Sequence, residues 1–151
     1  MQVTRAGEYA VIGLLYLAKQ PPKRMVMIDE ISEAESVPKS FLAKIFQLLA
    51  KSGFVSSHRG AGGGFSLAKP AAEITLLQVL QCVEGAFALQ KCVSDEPECV
   101  VSNTRMSTCT LCAVFTEAQN RVNEVFARTT LADLLQPKSH IPLPAKAAVV
   151  N

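Results

Sequence analysis

The chain has 151 residues, 49% of them apolar and 19% charged, with eight Gly, eight Pro, five Cys and no Trp. That is enough apolar material for one compact domain, or for a small domain with an oligomerisation arm, and too much for a wholly disordered chain. The net charge of +2 hides an asymmetry: residues 1–70 carry nine Lys/Arg against five acids, and residues 71–151 carry six against eight. From Ser36 to Lys69 there are five basic residues and His58, with no Asp or Glu. A stretch of one sign suits a polyanionic partner, although a solvated face is the plainer reading of any charge run.

The longest nearly apolar run, Tyr9 to Ala18, is about half the ~20 residues that a bilayer-crossing helix needs, so no membrane span is expected. Glu8 precedes it, Lys19 follows it and no small-x-small cleavage site appears. Ala6, Tyr9, Ala10, Gly13, Leu14, Leu17 and Ala18 fall at helical spacing, which predicts a buried first helix over Thr4 to Gln20 in a cytoplasmic protein. Pro21-Pro22 stops it. A second short helix fits Ile28 to Ala34. Pro38 then opens a third, with Phe41, Leu42, Ile45, Leu48 and Leu49 at helical spacing and Gly53 closing it. Two helices joined by a tight turn make a helix-turn-helix candidate.

The period then changes. Phe54 to Arg59 reads as a strand, Gly60-Ala61-Gly62-Gly63-Gly64 as a turn, and Phe65-Ser66-Leu67 as the returning strand. Helix, turn, helix and hairpin together predict a winged helix-turn-helix over residues 1–85, mainly α with a small β wing. Thr75 caps a further helix over Leu76 to Glu84, ended by Gly85. A polar, cysteine-rich loop fills residues 86–110. From residue 111 a long helix carries Leu111, Val114, Phe115, Ala118, Val122, Val125 and Phe126 on one stripe. Such a seam after a complete small domain predicts packing against a second copy, so residues 111–136 are read as a dimerisation helix and a short terminal helix. The tail, residues 137–151, holds Pro137, Pro142 and Pro144 and is expected to be flexible.

In a winged helix the second helix of the pair enters the major groove and the hairpin tip reaches the phosphate backbone or the minor groove. The exposed positions expected on that helix are Lys39, Ser40, Lys44, Gln47 and Lys51. Lysines release counterions from phosphates, while Ser40 and Gln47 have the donors and acceptors that base edges require. At the wing, His58 and Arg59 supply polar and cationic reach, and Gly62 and Gly63 let backbone N–H groups approach phosphates. A winged domain serving protein contacts is the competing reading, and the absence of acids over this stretch weighs against it. A nucleotide-binding loop fails its own context, because no Lys-Ser/Thr pair follows the glycines and a strand comes next.

Four cysteines, Cys92, Cys99, Cys109 and Cys112, lie within 21 residues as C-x6-C-x9-C-x2-C. Thiolates are soft ligands, so zinc and iron-sulfur clusters are the natural guests. Free surface thiols would be a liability and disulfides fit a cytoplasmic chain poorly. Spacing does not choose between structural zinc and a cluster. Cys82 stands apart inside a predicted helix and reads as a small buried apolar residue. An enzyme is not expected: no carboxylate pair or activated nucleophile is legible, and the two histidines, His58 and His140, fall on the wing and in the tail.

These residues resemble the Rrf2 family of winged-helix transcription regulators over roughly Met1 to Leu135. The carriers are Thr4-x-x-Gly7-x-Tyr9-Ala10-Val11, Val37-Pro38-x-x-Phe41-Leu42, Gly53-Phe54-Val55-x-Ser57, the wing Arg59 to Leu67, the cysteine loop and Thr130-Leu131-Ala132-Asp133-Leu134. The resemblance implies a homodimeric regulator, often a repressor, on a palindromic double-stranded DNA operator. It also implies that Cys92, Cys99 and Cys109 match the three cluster-holding cysteines of the family's sensing members, and that Cys112 falls where its iron-sulfur regulator has a histidine ligand. In some members a side chain on the partner's first helix supplies the fourth ligand, and Glu8 stands at that place here. The family's usual cysteine loop is more compact. A loop keeping only Cys109 and Cys112, with Glu8 and a partner residue, would suit a two-iron cluster, so 2Fe-2S is preferred over 4Fe-4S. Ala43 replaces an acidic residue of the iron-sulfur regulator's recognition helix, so the operator is expected to differ. The signal expected is iron, redox state or nitric oxide. A zinc-stabilised regulator and a thiol switch forming a Cys109–Cys112 disulfide are the alternatives, and a cluster-carrying interaction protein that ignores DNA is a third.

Overall fold

The computed structural model of the chain describes residues 3–86, 88–94, 97–99 and 109–137. Residues 100–108, between Cys99 and Cys109, and the tail with His140, Pro142 and Pro144, lie outside the described residues.

Helix α1 (Arg5–Ala18) begins where the Thr4 hydroxyl accepts from the Gly7 N–H, and it buries Ala10, Leu14 and Leu17. Helices α2 (Ile28–Glu35) and α3 (Lys39–Lys51) follow, joined through Ser36 in a left-handed conformation. Gly13 is what lets α1 and α3 meet: a Cβ there would lie 2.6 Å from Cε2 of the fully buried Phe46. Phe46 in turn stands edge-on to Phe65 of the wing, with ring centres 5.1 Å apart. Burying one such side chain is worth about 1.5–3 kcal/mol.

The apolar face of α3 differs from the sequence expectation. Leu42, Ile45, Phe46 and Leu49 are buried, whereas Phe41 is 55% and Leu48 37% exposed. The buried set obeys i, i+3, i+4, i+7, and Phe41 and Leu48, two turns apart, run beside that stripe rather than in it. Phe41 rests edge-on against Tyr9 of α1 at 6.3 Å.

Strands β1 (Val55–His58) and β2 (Gly64–Leu67) pair antiparallel from Val55 opposite Leu67 to His58 opposite Gly64. A third segment joins them, for Val26 and Phe65 exchange two backbone hydrogen bonds of 2.9 and 2.8 Å. The wing is thereby tied to the chain just before α2.

After a 3-10 turn at Ala71–Glu73, α4 (Leu76–Glu84) opens on a full capping box of Thr75 and Gln78 and closes at Gly85, as its sequence predicts. A second 3-10 turn, Lys91–Val93, precedes α5 (Thr110–Arg128) and α6 (Leu131–Leu135). The sequence groups α6 with the long helix. In space it returns to the first helices: Leu131 is fully buried in the common core, its N–H donates to the Ile74 carbonyl at 2.9 Å, and the Leu76 N–H donates to the Thr129 carbonyl at 2.8 Å. The architecture is a mainly helical domain with a small antiparallel wing, from which α5 projects.

Candidate functional site

Lys44, Gln47 and Lys51, with Ser40 one turn earlier, form the face of α3 opposite its buried stripe, and all four are exposed. The Pro38 cap offers α3 no side-chain acceptor, so this end of the helix presents N–H donors and the positive end of its dipole. Such an end suits a phosphate. Between α3 and the wing runs a groove of about 330 Å³ lined by Gln47, Ala50, Ser57, His58, Arg59, Gly64 and Phe65. Folding thus brings Gln47, His58 and Arg59 to one surface. Ser57 joins them unforeseen, although strand alternation with the buried Val55 was a usable signal.

At the wing tip, Gly60 and Gly62 take φ of +102° and +76°, and the Gly63 N–H donates to the Gly60 carbonyl at 2.9 Å. A Cβ at Gly63 would collide with the His58 carbonyl oxygen, so the tight tip requires glycine there. Lys39 is the exception among the basic residues. Its Nζ lies 2.5 Å from Asp29 Oδ1 on α2, so it enters any phosphate contact already partnered.

The second cluster is of sulfur. None of the five cysteines is in a disulfide, and all are half-buried. Cys109 is the residue that opens α5, Cys112 lies in its first turn, and Cys92 sits in the 3-10 turn Lys91–Val93. The Cys112 thiol donates to the Cys92 carbonyl at 3.7 Å. Partial burial pushes the Cys92 thiol above its ordinary pKa, reinforced by its hydrogen bond with Cys112 and by the neighbouring Cys112 and Cys109. Three of the four expected sulfur residues therefore meet at the N-terminal end of α5. Cys99 follows Glu98, whose N–H and carboxylate fold back onto Lys91 at 3.3 and 3.0 Å.

Among the described residues no three His, Cys, Asp or Glu side chains stand in an arrangement that could hold a metal ion. The chemistry of the donors nevertheless suits a thiophilic guest, since Cys109 and Cys112 lie at the start of α5, the Cys112 thiol touches the Cys92 turn, and none of the three is in a disulfide. Glu8 is placed elsewhere. It is half-exposed, paired with Arg5 at 3.5 Å, and lines a mostly apolar groove of about 470 Å³ with Gly7, Val11, Leu80 and Phe126, in which no cysteine takes part. Cys82, expected to be buried and apolar, is half-buried on α4 with its thiol donating to the Ser52 hydroxyl at 3.3 Å. Its position at the edge of the core leaves the sulfur within reach of a polar partner.

The apolar stripe of α5 is divided. Phe115, Val122 and Phe126 are half-buried, while Leu111, Val114 and Val125 are 62%, 65% and 40% exposed. Gln119 is the one residue that the helix buries.

A helix-turn-helix with an acid-free recognition helix and a basic groove beside a glycine-tipped wing defines a winged-helix DNA-binding protein. The comparisons with known proteins agree, and the chain belongs to the Rrf2 family, described as iron-dependent transcriptional regulators, which matches residues 3–137. It is a transcription regulator and not an enzyme. The chain is 36% identical over 142 residues to protein aau3 of Rhizobium meliloti, covering 93% of this chain and 89% of that protein. It is 30% identical over 142 residues to the HTH-type transcriptional regulator NsrR of Bacillus licheniformis, covering 93% and 96%. The fold is similar to that of CymR, the global cysteine regulator of B. subtilis, with a TM-score of 0.72 at 24% identity, covering 89% and 95%.

Proposed function

We propose that this regulator is a homodimeric repressor on a palindromic operator, controlled by iron, redox state or nitric oxide through an iron-sulfur cluster held by Cys92, Cys99, Cys109 and Cys112. The observation that carries the reading is the placement of Cys109 and Cys112 at the start of α5 with the Cys112 thiol against the Cys92 turn. The iron-dependent description of the family supports it. A bound cluster would supply redox and ligand-exchange chemistry at this place.

The chain's own residues do the rest. Lys44, Lys51 and Arg59 neutralise phosphates, Ser40 and Gln47 address base edges, and the glycine tip brings backbone N–H groups to the DNA. The exposed edge of α5, Leu111, Val114 and Val125, is the surface on which a second copy would lie, setting the spacing of two recognition helices. Division into a DNA-reading part (1–85), a cluster loop (86–110), a dimerisation segment (111–136) and a tail (137–151) belongs to the same proposal, as does work in the cytoplasm, where DNA and reduced thiols are found. Among the described residues no helix is long and apolar enough to cross a membrane. Glu8 of the partner subunit as fourth ligand, and 2Fe-2S as the cluster type, extend the reading.

The contact between Cys112 and the Cys92 segment favours a second reading, a thiol switch without metal, in which an external oxidant such as a peroxide takes two electrons and two protons as Cys112 forms a disulfide with Cys92 rather than with Cys109. One measurement separates them: an absorption spectrum of protein purified without oxygen, with iron, sulfide and zinc assayed on the same sample. Visible absorbance with near-stoichiometric iron and sulfide supports the cluster. Zinc alone, or no metal after attempted reconstitution, overturns it in favour of structural zinc or the thiol switch.

A further inference from the structure

We propose that Gln119 is the positioning residue of the cysteine site, docking the turn that carries Cys92 onto the helix that carries Cys109 and Cys112. The inference rests on the cluster reading above. Gln119 is 6% exposed and is the one buried polar side chain among the described residues. Buried amides are kept where their hydrogen bonds are made, and this one makes two. Its Oε1 accepts from the Leu89 N–H at 2.8 Å, and its Nε2 donates to Asn123 Oδ1 at 3.0 Å. A peptide N–H can only donate, so the Leu89 contact fixes which end of the amide faces the loop.

Leu89 stands three residues before Cys92, and Gln119 stands seven after Cys112. Seven residues are two helical turns, so Cys112 and Gln119 share one face of α5. From that face the helix holds the Cys92 segment at two points, the Cys112 thiol on the Cys92 carbonyl at 3.7 Å and the Gln119 amide on the Leu89 N–H at 2.8 Å. Sulfur is a weak donor and its contact is long; the amide contact is short and buried, so it is the stronger anchor. Between the two, the Gln90 side chain accepts from the Lys91 N–H at 3.0 Å and keeps the 3-10 turn formed. Outer partners that orient ligand-bearing segments change metal affinity by about 10–100-fold when removed.

The test uses the full chain, metal-free and after cluster loading, with Gln119→Met and Gln119→Glu. Methionine keeps the length and loses the acceptor, whereas glutamate keeps an oxygen for Leu89. In the metal-free protein, hydrogen exchange at the Leu89 amide is expected to rise about tenfold in Gln119→Met, with far-UV circular dichroism unchanged and Gln119→Glu close to wild type. In the loaded protein, iron loss to a chelator is expected to quicken about tenfold in Gln119→Met and to be largely restored in Gln119→Glu. Wild-type exchange and chelator rates in Gln119→Met would overturn the proposal. So would a Gln119→Met that does not fold, which would make the residue a stability element, or a Gln119→Glu no better than Gln119→Met. If the wild-type protein takes up no iron and sulfide, the cluster reading fails on its own, and exchange at Leu89 still decides the anchor.

Discussion

Helices α3 and α5 are both amphipathic, yet they treat their apolar faces differently. The recognition helix buries four of its 13 residues, and Phe46 and Leu42 reach complete burial against α1 and the wing. The longer helix buries one of its 19, a glutamine, and leaves Leu111 and Val114 more than half exposed. The first is closed on one side by its own chain and offers solvent its lysines, serine and glutamine, with Phe41 and Leu48 exposed along the edge of the buried stripe. The second is unfinished as a monomer, because isolated apolar side chains gain stability only when something covers them. The DNA-reading part therefore has a shape independent of partners, and the cysteine-bearing part has one that a partner can still set.

Substitutions on the two helices should break that contrast in different currencies. The largest effect is expected from Phe46→Ala, which empties the contact with Phe65 and Gly13 and should cost about 3–5 kcal/mol in denaturant unfolding. Arg59→Ala should leave stability near wild type and weaken operator binding about 10–100-fold, while Lys44→Ala should weaken binding across all sequences and reduce the salt slope by about one. Titrations at several salt concentrations check both. Leu111→Ser with Val114→Ser should leave the unfolding of the DNA-reading part intact and raise the concentration at which dimers form by about tenfold, as read by analytical ultracentrifugation. An unchanged dimer would remove α5 from the interface.

The smallest effect concerns the junction of the two regions. Hydrogen bonds from the Thr130 hydroxyl and backbone N–H, at 2.7 and 2.8 Å, hold the Asp133 carboxyl below its ordinary pKa. A carboxyl lowered by folding contributes stability that is full above its unfolded pKa, about 3.9, and is lost as pH falls through the folded value. Thermal unfolding of Asp133→Asn should therefore lose part of the wild-type decline in stability between neutral and acid pH.

Read alone, the sequence yields the element order, the helix-turn-helix with its wing and the polar face of α3, because these depend on periodicity, caps and turn residues that act over a few neighbours. The capping residue Thr75 and the stop at Gly85 were legible for the same reason. Tertiary structure alone decided matters that turn on which faces meet. It buried Phe46 and exposed Phe41, since the width of a helix stripe is set by its neighbours. It paired Lys39 with Asp29 across a turn, and it drew Val26 into the wing. Leu131 it returned to the core, although local sequence joins that residue to α5. It also gave Gln119 a role that no motif announces, because a buried amide acquires meaning only from the distant N–H that it satisfies.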